Sequence, residues 1–80
     1  MLWLAREDLS QRLYIEISSI KLAEIERVGW PVYWPNEPKP GVAYRDMLLP
    51  GFRMVLEAGG QSYVYETGVS ERVAFVGLDQ

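Results

Sequence analysis

Apolar residues recur at helical spacing at the start of the chain. Ala5, Leu9 and Leu13 stand four apart, with Arg6, Glu7, Asp8, Gln11 and Arg12 between them, which predicts a short amphipathic helix over 4–13. Asp8 and Arg12 form an i,i+4 opposite-charge pair on its polar side. The stretch 18–30 fits two periods. As a helix it would be capped by Ser18 or Ser19, with Leu22, Ile25 and Val28 on one stripe. As a strand it would carry Ile20, Leu22, Val28 and Trp30 on one face, with a break near Glu24. Gly29 and Pro31 end it in either case.

The clearest element is a β-hairpin over 52–57 and 62–67. Gly59-Gly60 supplies the two positive-φ positions of a tight primed turn. Counting outward from that turn sets the register: Ala58 faces Gln61, Glu57 faces Ser62, Leu56 faces Tyr63, Val55 faces Val64, Met54 faces Tyr65, and Arg53 faces Glu66. Phe52, Met54, Leu56, Tyr63 and Tyr65 then share one face, the expected core. The Arg53–Glu66 and Glu57–Ser62 pairs share the other. A last strand over 73–78 follows a turn at Gly68–Arg72, and Asp79 and Gln80 are expected to fray. All five prolines lie in 31–50, which argues against a helix or a central strand there and predicts a long stiff loop carrying Tyr33, Trp34 and Tyr44. Loops of that length in a small domain are often functional.

These elements give an α+β fold. One N-terminal helix packs on an antiparallel sheet of about four strands, the 31–50 loop runs along one edge, and the 80 residues form a single domain. Ten aromatic residues supply large apolar area to a chain whose size leaves a thin stability margin.

Composition narrows the chemistry. The chain has no Cys and no His, so disulfide scaffolds, Cys/His zinc sites, and Ser-His-Asp or Cys-His catalysis are excluded. A net charge of −3 argues against nucleic acid as a partner. No apolar run reaches the length of a membrane span. The apolar stretch Met1–Ala5 is too short for a signal-peptide core, which tilts an otherwise open compartment toward the cytoplasm.

Longer motifs carry a resemblance. They are Ala5-Arg6-Glu7-Asp8-Leu9-Ser10-Gln11-Arg12-Leu13, Pro40-Gly41-Val42-Ala43-Tyr44, Leu49-Pro50-Gly51-Phe52-Arg53, and Val55-Leu56-Glu57-Ala58-Gly59-Gly60-Gln61 with Tyr63 and Tyr65. Together they resemble a small uncharacterised bacterial domain family of cyanobacteria and Chloroflexi. The resemblance spans nearly the whole chain and implies a strand over 20–30. It carries no function. Relatives have a Ser-Leu-Gly-Cys-Pro-like segment where Tyr33-Trp34-Pro35-Asn36-Glu37-Pro38 stands here. A fainter likeness is to the potato inhibitor I family of serine-protease inhibitors, in the order helix, strand, long loop, Arg-bearing strand. It implies a reactive segment around 43–48 and Arg53 as loop support, although the spacing to Arg53 is off by about one residue.

Candidate sites weigh as follows. Glu24 and Glu26 fit a solvated strand face better than acid–base work, which needs burial. Glu37, Asp46 and Glu57 lack calcium-loop spacing. Gly59-Gly60 is explained by the hairpin and not by a phosphate loop. The serines have no activating partner. Pro35-Asn36-Glu37-Pro38 matches a bare Pro-x-x-Pro pattern, common by chance. Trp30, Tyr33 and Trp34, braced by prolines, are the strongest group: Trp30 as core cover, Trp34 as an exposed anchor. The expected function is a non-enzymatic protein-interaction module. Tyr33, Trp34 and Tyr44 are its anchors, Arg45 and Asp46 its polar contacts, and another protein its partner. No cofactor and no metal is expected. The alternative is the protease inhibitor. A homodimer through the sparsely charged last strand is a further possibility.

Overall fold

A computed structural model describes residues 2–68 and 72–79. It contains a helix α1 (Leu2–Leu13), a single 3₁₀ turn (Ile17–Ser19) and four strands: β1 (Lys21–Pro31), β2 (Leu48–Ala58), β3 (Gln61–Thr67) and β4 (Val73–Leu78). The strands form one antiparallel meander in the order β1-β2-β3-β4. The α+β fold expected from the sequence is the fold observed.

The β2–β3 hairpin carries every cross-strand pair that counting from Gly59-Gly60 predicts, from Ala58 opposite Gln61 to Arg53 opposite Glu66. Both turn glycines have positive φ, 58° and 78°, which an L-residue with a Cβ resists. One face of this hairpin meets α1. Ala5 and Leu9 of the helix pack with Ile20, Met54, Leu56, Ala58 and Tyr65 as the buried core, and Leu2, Leu13, Ile15, Leu22, Tyr63, Val73 and Phe75 surround it. The opposite face also buries apolar side chains, Val55 and Val64.

Three expectations are corrected. First, 18–30 is the strand that the resemblance implied, with its break next to Glu24, but its apolar residues do not share one face. Its strand holds a bulge at Ala23, where the register shifts between Leu22 and Glu24. The extra residue reverses the alternation. Leu22 therefore lies opposite Leu56 on the helix side, while Val28 and Trp30 lie opposite Gly51 and Leu49 on the far side.

Second, the loop is 32–47, because Leu48–Pro50 belong to β2, a central strand. Pro50 is tolerated there because β3 ends with Thr67 opposite Phe52, so β2 before Phe52 is flanked by β1 alone. Third, Asp79 does not fray. Its N–H donates to the Ser62 carbonyl at 2.8 Å and its carboxylate pairs with Arg53 at 3.6 Å. The turn expected at Gly68–Arg72 and the terminal Gln80 fall partly or wholly outside the described residues.

The helix ends in a left-handed cap. Tyr14 has φ 54° and the Ile15 N–H donates back to the Ser10 carbonyl at 3.2 Å, the 6→1 bond of a Schellman motif. The Ser10 hydroxyl donates to the Ile15 carbonyl at 2.5 Å. Glycine usually fills this position, and the Tyr14 ring is 95% exposed. Tyr14→Gly thus removes about 1–2 kcal/mol of left-handed strain against about 0.4–1 kcal/mol of added freedom in the unfolded chain. A rise of a few degrees in Tm, read by thermal unfolding, is the expected outcome.

Helix and sheet are also joined by a polar latch. The Tyr65 hydroxyl donates to the Asp8 carboxylate at 2.5 Å, and Arg12 Nε donates to the same oxygen at 2.6 Å. The Arg12 guanidinium lies 4.2 Å from the centre of the Phe75 ring. Burial alone would push the Asp8 pKa up, but the hydrogen bond from Tyr65 and the ion pair with Arg12 outweigh it and hold the pKa below its ordinary 3.8. Burial, then the bond to Asp8, push the Tyr65 hydroxyl well above its ordinary value, so it remains a donor. A depressed carboxyl pKa stabilises the fold above its unfolded value, and that stabilisation is lost as pH falls through the native value. The urea midpoint should therefore hold down to about pH 5 and decline below about pH 4. Asp8→Asn should lower the neutral midpoint and flatten that acid decline.

Candidate functional site

The connection between β1 and β2 is fixed at its base by two tryptophans. The bulge at Ala23 turns Trp30 toward the far side of the sheet, where its indole Nε1 donates to the Thr67 carbonyl at 2.8 Å. Trp34 stacks on it, with ring centroids 5.4 Å apart and planes within 10°, and donates from its own Nε1 to Glu66 Oε1 at 3.1 Å. Both contacts reach β3 across β2. The loop thus folds over the end of the far face instead of running along an edge.

Two glycines allow this. A Cβ on Gly51 would lie 2.3 Å from both Trp30 Nε1 and the Thr67 carbonyl oxygen, and one on Gly68 would lie 2.7 Å from the Trp34 ring. A glycine inside a strand marks the close approach of another group, and here the group is an indole in each case.

A second aromatic pair shapes the outer loop. Tyr33 and Tyr44 meet edge to face, with centroids 5.1 Å apart at 69°. The Tyr44 hydroxyl accepts from the Lys39 N–H at 3.0 Å. Turns closed by Trp34 N–H to the Pro31 carbonyl and Asn36 N–H to the Tyr33 carbonyl, each 2.9 Å, tighten the ascending limb. The Trp34–Pro35 peptide bond is cis. Pro35 lies inside the turn that the Asn36–Tyr33 bond closes, so the Pro35–Pro38 segment does not begin as an extended polyproline ligand.

Of the five residues singled out in the sequence, Tyr33, Trp34 and Tyr44 are half-buried and serve as the loop's internal frame, while Arg45 and Asp46 are exposed. Trp34 is a pinned cover, not a free anchor. The side chains that do stand out are Val42, Met47 and Leu48, at 50%, 45% and 67% exposure. Sequence reasoning passed over them because no period marks them in a proline-rich tract.

The remaining candidates disperse. Glu24 and Glu26 lie on one face of β1 and are exposed, with Glu26 3.9 Å from Arg53. Arg53 is held by Glu26 and Asp79, not by its cross-strand neighbour Glu66, whose carboxylate serves Trp34. Among the described residues no three carboxylates gather to hold a metal, so Glu37, Asp46 and Glu57 do not converge. Among them, too, no helix is long and apolar enough to cross a membrane.

Residues 2–76 match a family described as a domain of unknown function, DUF8738. No curated protein and no solved structure matches the chain.

The Trp30–Gly51–Thr67 contact has a direct test. Gly51→Ala should displace the indole and break its hydrogen bond, at a cost of about 2–4 kcal/mol. The cost would appear as a lower urea midpoint and a shifted Trp30 indole proton by NMR.

Proposed function

The chain belongs to the DUF8738 family, a domain of unknown function, and from that premise we propose that it is a non-enzymatic protein-interaction module working through the 32–47 loop. The observation that carries this reading is a braced loop with an apolar outer surface. The stacked tryptophans and the Tyr33–Tyr44 pair hold it in one shape, while Val42 and Met47 in the loop and Leu48 at the start of β2 stay in water, with the charged Arg45 and Asp46 between them in sequence. Apolar groups rimmed by charge suit recognition of another protein. Bracing lowers the ordering entropy that binding must overcome. Tyr33, Trp34 and Tyr44 set the geometry and offer their remaining faces, and Arg45 and Asp46 supply polar specificity.

The serine-protease inhibitor reading uses the same segment but requires Arg53 beneath it, and Arg53 is engaged with Glu26 and Asp79. A homodimer through a sheet edge is also less favoured. β1 presents Lys21, Glu24, Glu26 and Arg27. β4 is interrupted by a bulge at Val76, beside Gly77 at φ 132°. Charge and bulges both blunt edge pairing.

The experiment is affinity capture from the lysate of the source organism with the wild-type domain and with an Arg45→Ala/Asp46→Ala/Met47→Ser variant. These three side chains are exposed, so the variant's Tm should match wild type. A protein retained by wild type and lost by the folded variant is the expected result. Equal retention by both, or none by wild type, rejects the loop as the working surface.

A further inference from the structure

A small cleft opens beside the stacked tryptophans. Pro31, Val32, Trp34, Leu49, Pro50, Gly68 and Arg72 line its wall, and its volume is about 80 Å³. That is room for several waters or for one branched aliphatic side chain. The wall is rigid, because Trp34 is fixed by Trp30 behind it and by Glu66 at its Nε1. Six of these seven residues offer an apolar side chain or none. A charged group would lose its water inside the cleft without recovering a partner.

Arg72 is the exception. It is exposed, and among the described residues no carboxylate pairs with its guanidinium. A guanidinium beside an apolar slot selects a carboxylate in bidentate contact.

We propose that this cleft receives an aliphatic side chain whose own or neighbouring carboxylate is held by Arg72, and so reads one apolar–acidic position of an extended peptide. The proposal deepens the interaction-module reading and rests on it, by assigning chemistry to the base of the same loop. The carboxylate is either a chain terminus or an Asp/Glu side chain, since Arg72 meets the same group in both.

Three probes separate these sources: acetyl-Ala-Leu with a free terminal carboxylate, acetyl-Leu-Glu-amide with a side-chain carboxylate, and the neutral acetyl-Ala-Leu-amide. Each is titrated into the ¹⁵N-labelled domain while the Trp34 indole and Gly68 amide resonances are followed. Ligands this small bind with dissociation constants on the order of 1 mM. One or both carboxylate probes should shift the two resonances at least about tenfold more tightly than the neutral one, and the tighter of the two identifies the source. Arg72→Gln should reduce them to the level of the neutral probe. The Trp30 indole resonance, in its unperturbed position, certifies that the variant is folded. Equal binding of charged and neutral probes, wild-type behaviour of Arg72→Gln, or no shift with any probe overturns the proposal. The titration needs no protein partner. Its failure leaves the loop reading standing, and failure of the loop reading at Arg45, Asp46 and Met47 leaves this titration unchanged.

Discussion

The pairing of β2 with β3 is the constraint from which the rest of the molecule follows. β2 is bonded on both sides and carries side chains to both layers. Met54 and Leu56 meet the helix, and Val55 turns away from it. A slip of one residue at Gly59-Gly60 would exchange these sets and place Arg53 and Glu57 in the core. The same slip would move Gly51 from beneath Trp30 and leave the loop without its seat. One tight turn therefore fixes the hydrophobic core and, more than a dozen residues away, the geometry of the loop.

The sheet serves its two sides with different chemistry. The helix side is sealed by aliphatic residues packed with Tyr63, Tyr65 and Phe75, and closed by a carboxylate that accepts from Tyr65 and Arg12 together. The far side is covered at one end by indoles lying directly on backbone, with their N–H groups satisfied by Thr67 and Glu66. Large aromatic rings bury much area at little cost in side-chain freedom, which suits a chain this short. The Ala23 bulge joins the two schemes. It lets one strand contribute Leu22 to the first side and Trp30 to the second.

Much of the scaffold was legible in the sequence because its signals are local. Gly59-Gly60 sets a register by itself, and Ala5, Leu9 and Leu13 announce a buried helical stripe without reference to the rest of the chain. The misreadings have one physical origin, contacts distant in sequence. A bulge at Ala23 is an event between two strands, and period counting within one strand shows it only as a break. Pro50 argues against a central strand until it is known that β3 stops short of it. Trp34 reads as an anchor until Glu66, far along the chain, is seen to hold its nitrogen. Gly51 and Gly68 were the available clue, because a glycine inside or just after a strand asks what approaches it. The candidate loop was visible from its prolines and aromatics, but its exposed apolar members, Val42 and Met47, and Leu48 beside them at the start of β2, carry no pattern of their own.

The stacked indoles give the protein an optical signature. Trp30 and Trp34, stacked at 5.4 Å and half-buried, emit to the blue of an indole in water. The third indole, Trp3 of α1, stands in solvent and contributes an ordinary water-exposed emission. Docking of the loop thus has its own readout within the unlabelled chain: the stacked pair shifts to the red when the loop leaves its seat, over the constant background of Trp3.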